Sequence, residues 1–266
     1  MLMKRTVTAA LLLILVIIVL WANGSVPWFA IGGSVAVVFG LYEFYRMVIT
    51  SGKGKPAVWL GIVLALLFIF QPLTRWSNDG GILITASVIL PLLWVTMRPN
   101  REGACSSWAF TLAGILYLGW IASRYVALIQ MPHGRDWVTL ALFSTFACDS
   151  SAYFVGRAFG RHKMAPGISP GKTWEGAAGG VAGTVIVGLG IAWIFKLPIA
   201  AWQTVLLSIG ISIFAQTGDL VESLFKRNMG AKDSGNALPG HGGVLDRIDS
   251  VIFTGLVVYY FVLWLA

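Results

Sequence analysis

The stretch TVTAALLLILVIIVLWA, residues 6–22, carries no charged side chain and would be apolar on every side of a helix. Crossing the hydrocarbon core of a bilayer takes roughly 20 such residues, whereas a helix packed on a soluble core needs only one apolar stripe. Runs of the same kind return along the whole chain, bounded each time by Gly, Pro, Asn or charge. They place further helices near residues 26–48, 57–73, 81–97, 106–130, 137–156, 175–197, 201–224 and 250–266. None alternates inside and outside residues as a barrel strand would, and lipid offers no partner to the edge of an open sheet. The chain therefore reads as all-α, a polytopic transmembrane helical bundle of about nine spans.

Composition agrees. Charged residues make up 11% of the 266, against about a quarter in soluble domains, and the mean hydropathy is +0.80. One integral membrane domain over residues 1–266 is expected, with scaffold spans in 1–135 and catalytic spans and cytoplasmic loops in 136–266. Cys105 and Cys148 are too few and too far apart for a disulfide framework or a cysteine metal site. Lys4 and Arg5 before an apolar run imitate a signal peptide, but the small-residue cleavage signal around Ala22 and Gly24 is poor, so an uncleaved first span is expected.

Cytoplasmic loops of membrane proteins collect Lys and Arg. On this map one side receives Lys4, Arg5, Arg46, Lys53, Lys55, Arg98, Arg101, Arg157, Arg161, Lys163, Lys172, Lys226, Arg227, Lys232 and Arg247, fifteen of the 19 basic residues. The other side receives Arg75, Arg124, Arg135 and Lys196. That bias predicts a cytoplasmic N-terminus and an outside C-terminus, and a bacterial inner (plasma) membrane is the expected location. The net charge of +8 is spread over several loops, as contact with anionic lipid headgroups requires, and no nucleic-acid recognition fold is visible.

The acidic residues are few. Glu43, Asp79, Glu102 and Asp136 fall near span ends, where solvation is an adequate explanation; Asp149, Glu175, Asp219, Glu222, Asp233, Asp246 and Asp249 all follow residue 145. Asp149 in LFSTFACDSSAYFVG and Asp219 in IFAQTGDLVESLF interrupt apolar runs, where an isolated carboxylate costs about 2.5–3.5 kcal/mol on insertion scales. An internal ion pair or hydrogen bond would satisfy one such acid. Two of them, joined by Asp246 and Asp249 at i,i+3 spacing, favour a shared divalent cation, and an all-oxygen ligand set suits Mg²⁺ or Mn²⁺, with a second cation left open. Mg²⁺ in turn implies phosphate. Lys226, Arg227, Lys232, His241 and Arg247 stand close to the acids in sequence, among Gly230, Gly235, Gly240, Gly242 and Gly243, which free the backbone to approach a ligand.

The polar segment GRAFGRHKMAPGISPGKTWEG, residues 156–176, falls on the same side. Its GISPGKT is not a P-loop, because three residues rather than four separate Gly167 from Gly171 and no strand precedes it. Lys172, with Ser169 and Thr173, either reaches a phosphate or belongs to an ordinary loop. His162 and Lys163 read equally well as solvated or lipid-facing, and the small residues of GAAGGVAGT, 176–184, read as close helix packing.

The stretch SLFKRNMGAKDSGNALPGHGGVLDRID, residues 223–249, closely resembles the signature of the phosphatidate cytidylyltransferases, or CDP-diacylglycerol synthases. The residues that carry the resemblance are Ser223, Lys226, Arg227, Lys232, Asp233, Pro239, Gly240, His241, Gly242, Gly243, Asp246, Arg247 and Asp249. DSSAYFVGRAFGRHKMAPGISPGKTWEG, 149–176, looks like the family's second polar region, so specific motifs cover the C-terminal part of the chain and hydrophobic character alone the rest. The resemblance implies that CTP and phosphatidic acid, met at the cytoplasmic face, give CDP-diacylglycerol and pyrophosphate by metal-assisted in-line displacement. Asp219, Asp246, Asp249 and Asp149 are the expected metal ligands. Asp219, Asp246, Lys226 and Arg247 are the expected catalytic residues, and Ser223, Arg227, Lys232, Asp233, His241, Gly242, Gly243, Lys172 and Ser169 the substrate-binding ones. The attacking phosphate is already anionic, so His241 is expected to donate a hydrogen bond or shape the turn rather than act as a base. Asp233 either ligates metal or pairs with Lys232. A CDP-alcohol phosphotransferase would place its aspartates differently, and an ion-coupled transporter would show an inverted repeat, which is not apparent. A homodimer is left open.

Overall fold

A computed structural model describes residues 14, 16–22, 27–74, 80–99, 102–235, 237 and 242–265. Its helices are α1 (Trp28–Thr50), α2 (Val58–Phe70), α3 (Gly80–Thr96), α4 (Ala104–Ile129), α5 (Gly134–Phe159), α6 (Trp174–Ile194), α7 (Ala201–Asn228) and α8 (Leu245–Leu265). Residues 14 and 16–21 are also helical, and residues 6–13 and 15 of that run lie outside the described residues. Six of the helices, all but α2 and α3, are long and apolar enough to cross a membrane. The expected apolar runs coincide with the eight named helices to within a few residues, as they should where lipid forces every backbone group to bond inside its own segment.

One surface feature fits lipid rather than water. Trp59, Ile186, Trp193 and Trp264 are each more than 70% exposed. An aqueous surface would not leave so many large apolar side chains uncovered. Trp174 and Trp193 bracket α6, and nineteen residues of helix span about 28 Å, close to the thickness of a hydrocarbon core, where Trp favours both interfaces.

The chain forms two compact units. The first comprises residues up to Val126 with Asn228–Ile248. Its core gathers Leu41, Phe44, Tyr45, Phe68, Ile115 and Leu118, all fully buried. The Tyr45 hydroxyl donates to the Thr111 carbonyl at 2.8 Å, and the α2 start is held to α4 where Thr111 Oγ1 accepts from Ala57 N–H at 2.9 Å. Inside α4, residues Ile115–Trp120 widen to a π-turn, and α3 accommodates Pro91 in its interior.

The second unit comprises Ala127–Arg227 and the chain from Asp249 on. The small residues at 176–184 do pack helices closely: Cβ atoms added at Gly179 or Gly183 would meet Val155 and Ser151 of α5. Thr145 of α5 donates to Thr254 of α8 at 2.8 Å. Between α5 and α6 the polar segment folds into an antiparallel hairpin, β1 (Lys163–Ala165) and β2 (Ser169–Thr173), pairing Lys163 with Thr173 and Ala165 with Ser169. No strand is expected before GISPGKT, yet β1 precedes it. Thr173 ends β2 and caps α6, its hydroxyl oxygen accepting from Gly176 N–H at 3.1 Å.

Candidate active site

In the second unit, α7 carries Asp219, Glu222, Ser223 and Lys226 at helical i, i+3, i+4 and i+7 positions, one face of a 3.6-residue helix. That face meets α8 where Gly218 lets the two backbones approach: a Cβ there would sit 2.6 Å from the Asp249 carbonyl oxygen and 2.9 Å from the Phe253 ring. The consequence is a three-carboxylate cluster. One oxygen each from Asp219, Glu222 and Asp249 lies within 4.8 Å of the others. Glu222 and Asp249 are buried at 1% and 7% exposure, while Asp219 is partly exposed, its side chain 38% open.

Two lysines answer these acids. Lys226 Nζ lies 2.5 Å from Glu222 Oε2, and Lys172 Nζ reaches from β2 to within 3.0 Å of Asp219 Oδ2 while donating to the Gln216 carbonyl at 3.0 Å. The Ser223 hydroxyl donates to Asp219 Oδ1 at 3.3 Å. Arg227, exposed at the end of α7, donates from Nε to the Ile168 carbonyl at 3.3 Å and so ties the hairpin turn to that helix. Lys172 therefore stands beside the acids rather than in an unrelated loop. The hairpin is braced at its other end by Glu175, which accepts from the backbone N–H groups of Arg161 and His162 and contacts His162 Nδ1, so His162 is engaged rather than simply solvated. Asp149 has an exposed side chain on α5 and is not one of the three clustered acids.

Lys232, Asp233, Gly242, Gly243, Asp246 and Arg247 fall in the first unit. There Asp246 reaches back along the chain and accepts from Gly243 N–H at 2.8 Å and from Ser234 N–H at 3.1 Å. Gly242 holds φ at +81°, a conformation that disfavours any side chain. Lys232 and Asp233 are exposed, and Pro239, Gly240 and His241 lie outside the described residues.

Two acids hold places that the sequence did not assign them. Glu222 carries no signature role, although its i+3 spacing from Asp219 and i−4 spacing from Lys226 on one helix face was a usable signal. Glu43 is not a solvated span-end residue. It is 5% exposed and accepts three hydrogen bonds, from Ser234 Oγ at 3.0 Å, Val244 N–H at 3.1 Å and Leu245 N–H at 2.9 Å.

The clustered carboxylates and Lys226 thus lie on helices long and apolar enough to cross a membrane, as in an integral membrane protein. A family model described as "Cytidylyltransferase family" matches residues 3–265. A phosphatidate cytidylyltransferase of Staphylococcus saprophyticus is 36% identical over 251 residues, 94% of each chain. One from Bacillus subtilis is 32% identical over 265 residues, 97% of each chain, and one from Brucella abortus 34% identical over 98% of this chain and 93% of its own. The chain belongs to the cytidylyltransferase family and is a transferase of that family.

Proposed function

We propose that this chain transfers the cytidylyl group of CTP to phosphatidic acid, giving CDP-diacylglycerol and pyrophosphate. A phosphate oxygen of the lipid bonds to the α-phosphorus of CTP, and the bond from that phosphorus to the bridging oxygen of the β-phosphate breaks, so pyrophosphate carries the electron pair away. The observation that carries the reading is the cluster of Asp219, Glu222 and Asp249 flanked by Lys226 and Lys172, in a chain of this family.

The cluster fits a divalent cation by its donor chemistry. All three groups offer carboxylate oxygens, and their formal charge exceeds that of the two lysines, an imbalance that Mg²⁺ or Mn²⁺ relieves. Asp219, Glu222 and Asp249 would hold it, with Asp149 and Asp246 as further candidate ligands and a second cation left open. When bound, the ion supplies charge neutralisation at the phosphoryl oxygens. Lys226, Lys172 and Arg227 supply the rest: their donors bind the triphosphate and the lipid phosphate and hold both against mutual repulsion. Ser223 orients Asp219. Ser169, Lys232, Asp233, His241, Gly242, Gly243 and Arg247 are proposed substrate-binding residues, Arg247 by neutralising phosphate charge. Residues 1–135 act as scaffold and 136–266 carry the chemistry.

The full topology is about nine spans with a cytoplasmic N-terminus and active face, in the inner membrane of a bacterium, supported by the uneven split of Lys and Arg between loops. The decisive assay supplies purified protein with CTP and phosphatidic acid in detergent. CTP-dependent pyrophosphate release with matching CDP-diacylglycerol supports the proposal. Release of CMP from CDP-diacylglycerol on adding an alcohol, with no reaction of CTP, would sink it.

A further inference from the structure

We infer that Glu43, far upstream in α1, is the positioning residue of the signature segment. Its carboxylate ties Ser234 to Val244 and Leu245 at the start of α8, in the arrangement the transfer reaction needs. The inference rests on the proposed reaction only for its catalytic consequence.

Three donors converge on this one buried carboxylate. Oε1 accepts from Val244 N–H, while Oε2 accepts from Leu245 N–H and from the Ser234 hydroxyl, so one side chain joins both ends of the segment to α1. The two amides open α8, whose first N–H groups have no partner within the helix. The segment's glycines are shaped to this contact. A Cβ on Gly243 would collide with Ser234 Oγ and Glu43 Oε2, and one on Gly235 would collide with Glu43 Oε1. Their lack of side chains is thus required by Glu43, whatever they do toward a ligand.

The rest of α1 is built for the same contact. Gly40, one turn before Glu43, faces Ile248 and Leu245, and the Ser51 hydroxyl lies 3.1 Å from Met229 Sδ at the segment's other approach. Through Ser234 the arrangement passes to Asp246, which accepts from Ser234 N–H and Gly243 N–H. Glu43 touches no reacting atom. It orders the residues that carry Asp246 and Arg247.

Glu43→Gln is the test, because the amide keeps one acceptor oxygen but turns an NH₂ toward groups that are themselves donors. Hydrogen exchange should run roughly tenfold faster in a peptide covering Ser234–Leu245, with the peptides of α2 unchanged. The kcat for CDP-diacylglycerol formation should fall roughly tenfold or more, with the KM for CTP within about twofold of the parent. Ser234→Ala removes one of the three bonds and should act in the same direction, and the double variant should lose little beyond Glu43→Gln, as coupled partners do. Parent exchange rates in Glu43→Gln, parent kcat, or strictly additive losses would each overturn the inference. A parent protein that makes no CTP-dependent product would sink the proposed reaction instead, and the exchange arm then decides for Glu43 alone.

Discussion

Glu222 is the most deeply buried of the three clustered acids, and the ammonium of Lys226 one turn ahead explains why it tolerates that place, beside the like charge of Asp219 one turn behind. Sequence singled out Asp219 because a carboxylate in an apolar run is costly, and Asp249 because it closes a signature. Glu222 lacked both marks, and its nearness to Asp249 depends on which face α8 turns toward α7, which no local pattern encodes. Glu43 was hidden for a related reason, since its partners lie about two hundred residues away. Glu222→Gln keeps the shape and removes the charge. Turnover should drop by at least about a hundredfold, the scale of losing a charge-stabilising group, while the protein still elutes as a folded species in detergent. Turnover within twofold of the parent would take Glu222 out of the site.

Among the elements, the helices were legible and the hairpin was not. Apolar runs mark membrane helices because lipid penalises any polar interruption, so the bounds of α1 to α8 could be set to within a few residues. β1 and β2 are three and five residues long in a Lys-, Gly- and Pro-rich segment, and strands that short have no hydrophobic period to read. Yet β2 is what delivers Lys172 to Asp219. α7 comes close to α8 at Gly218, which only the folded chain distinguishes from other helical glycines. Gly218→Val would push a branched side chain into the Asp249 carbonyl and the Phe253 ring. Thermal unfolding should register a loss of about 1–3 kcal/mol, the usual cost of overpacking, together with falling activity as Asp219 and Glu222 part from Asp249. Unchanged stability and turnover would mean that the close approach is not needed.

For the whole molecule, composition and the charge split carried the membrane assignment, and the signature carried the family. Orientation follows from the same split: reporters fused after residue 163 should read as cytoplasmic and one at the C-terminus as outside, and the reverse pattern would invert the proposed topology. The central claim is that the cluster of Asp219, Glu222 and Asp249 holds the divalent cation on which cytidylyl transfer depends. It is tested most directly by the Mn²⁺ concentration that gives half-maximal CDP-diacylglycerol formation, compared between the parent and Asp249→Asn. The account predicts that the requirement rises at least about tenfold in the variant, as loss of one carboxylate ligand should produce. An unchanged Mn²⁺ dependence, or full turnover in excess chelator, would contradict it.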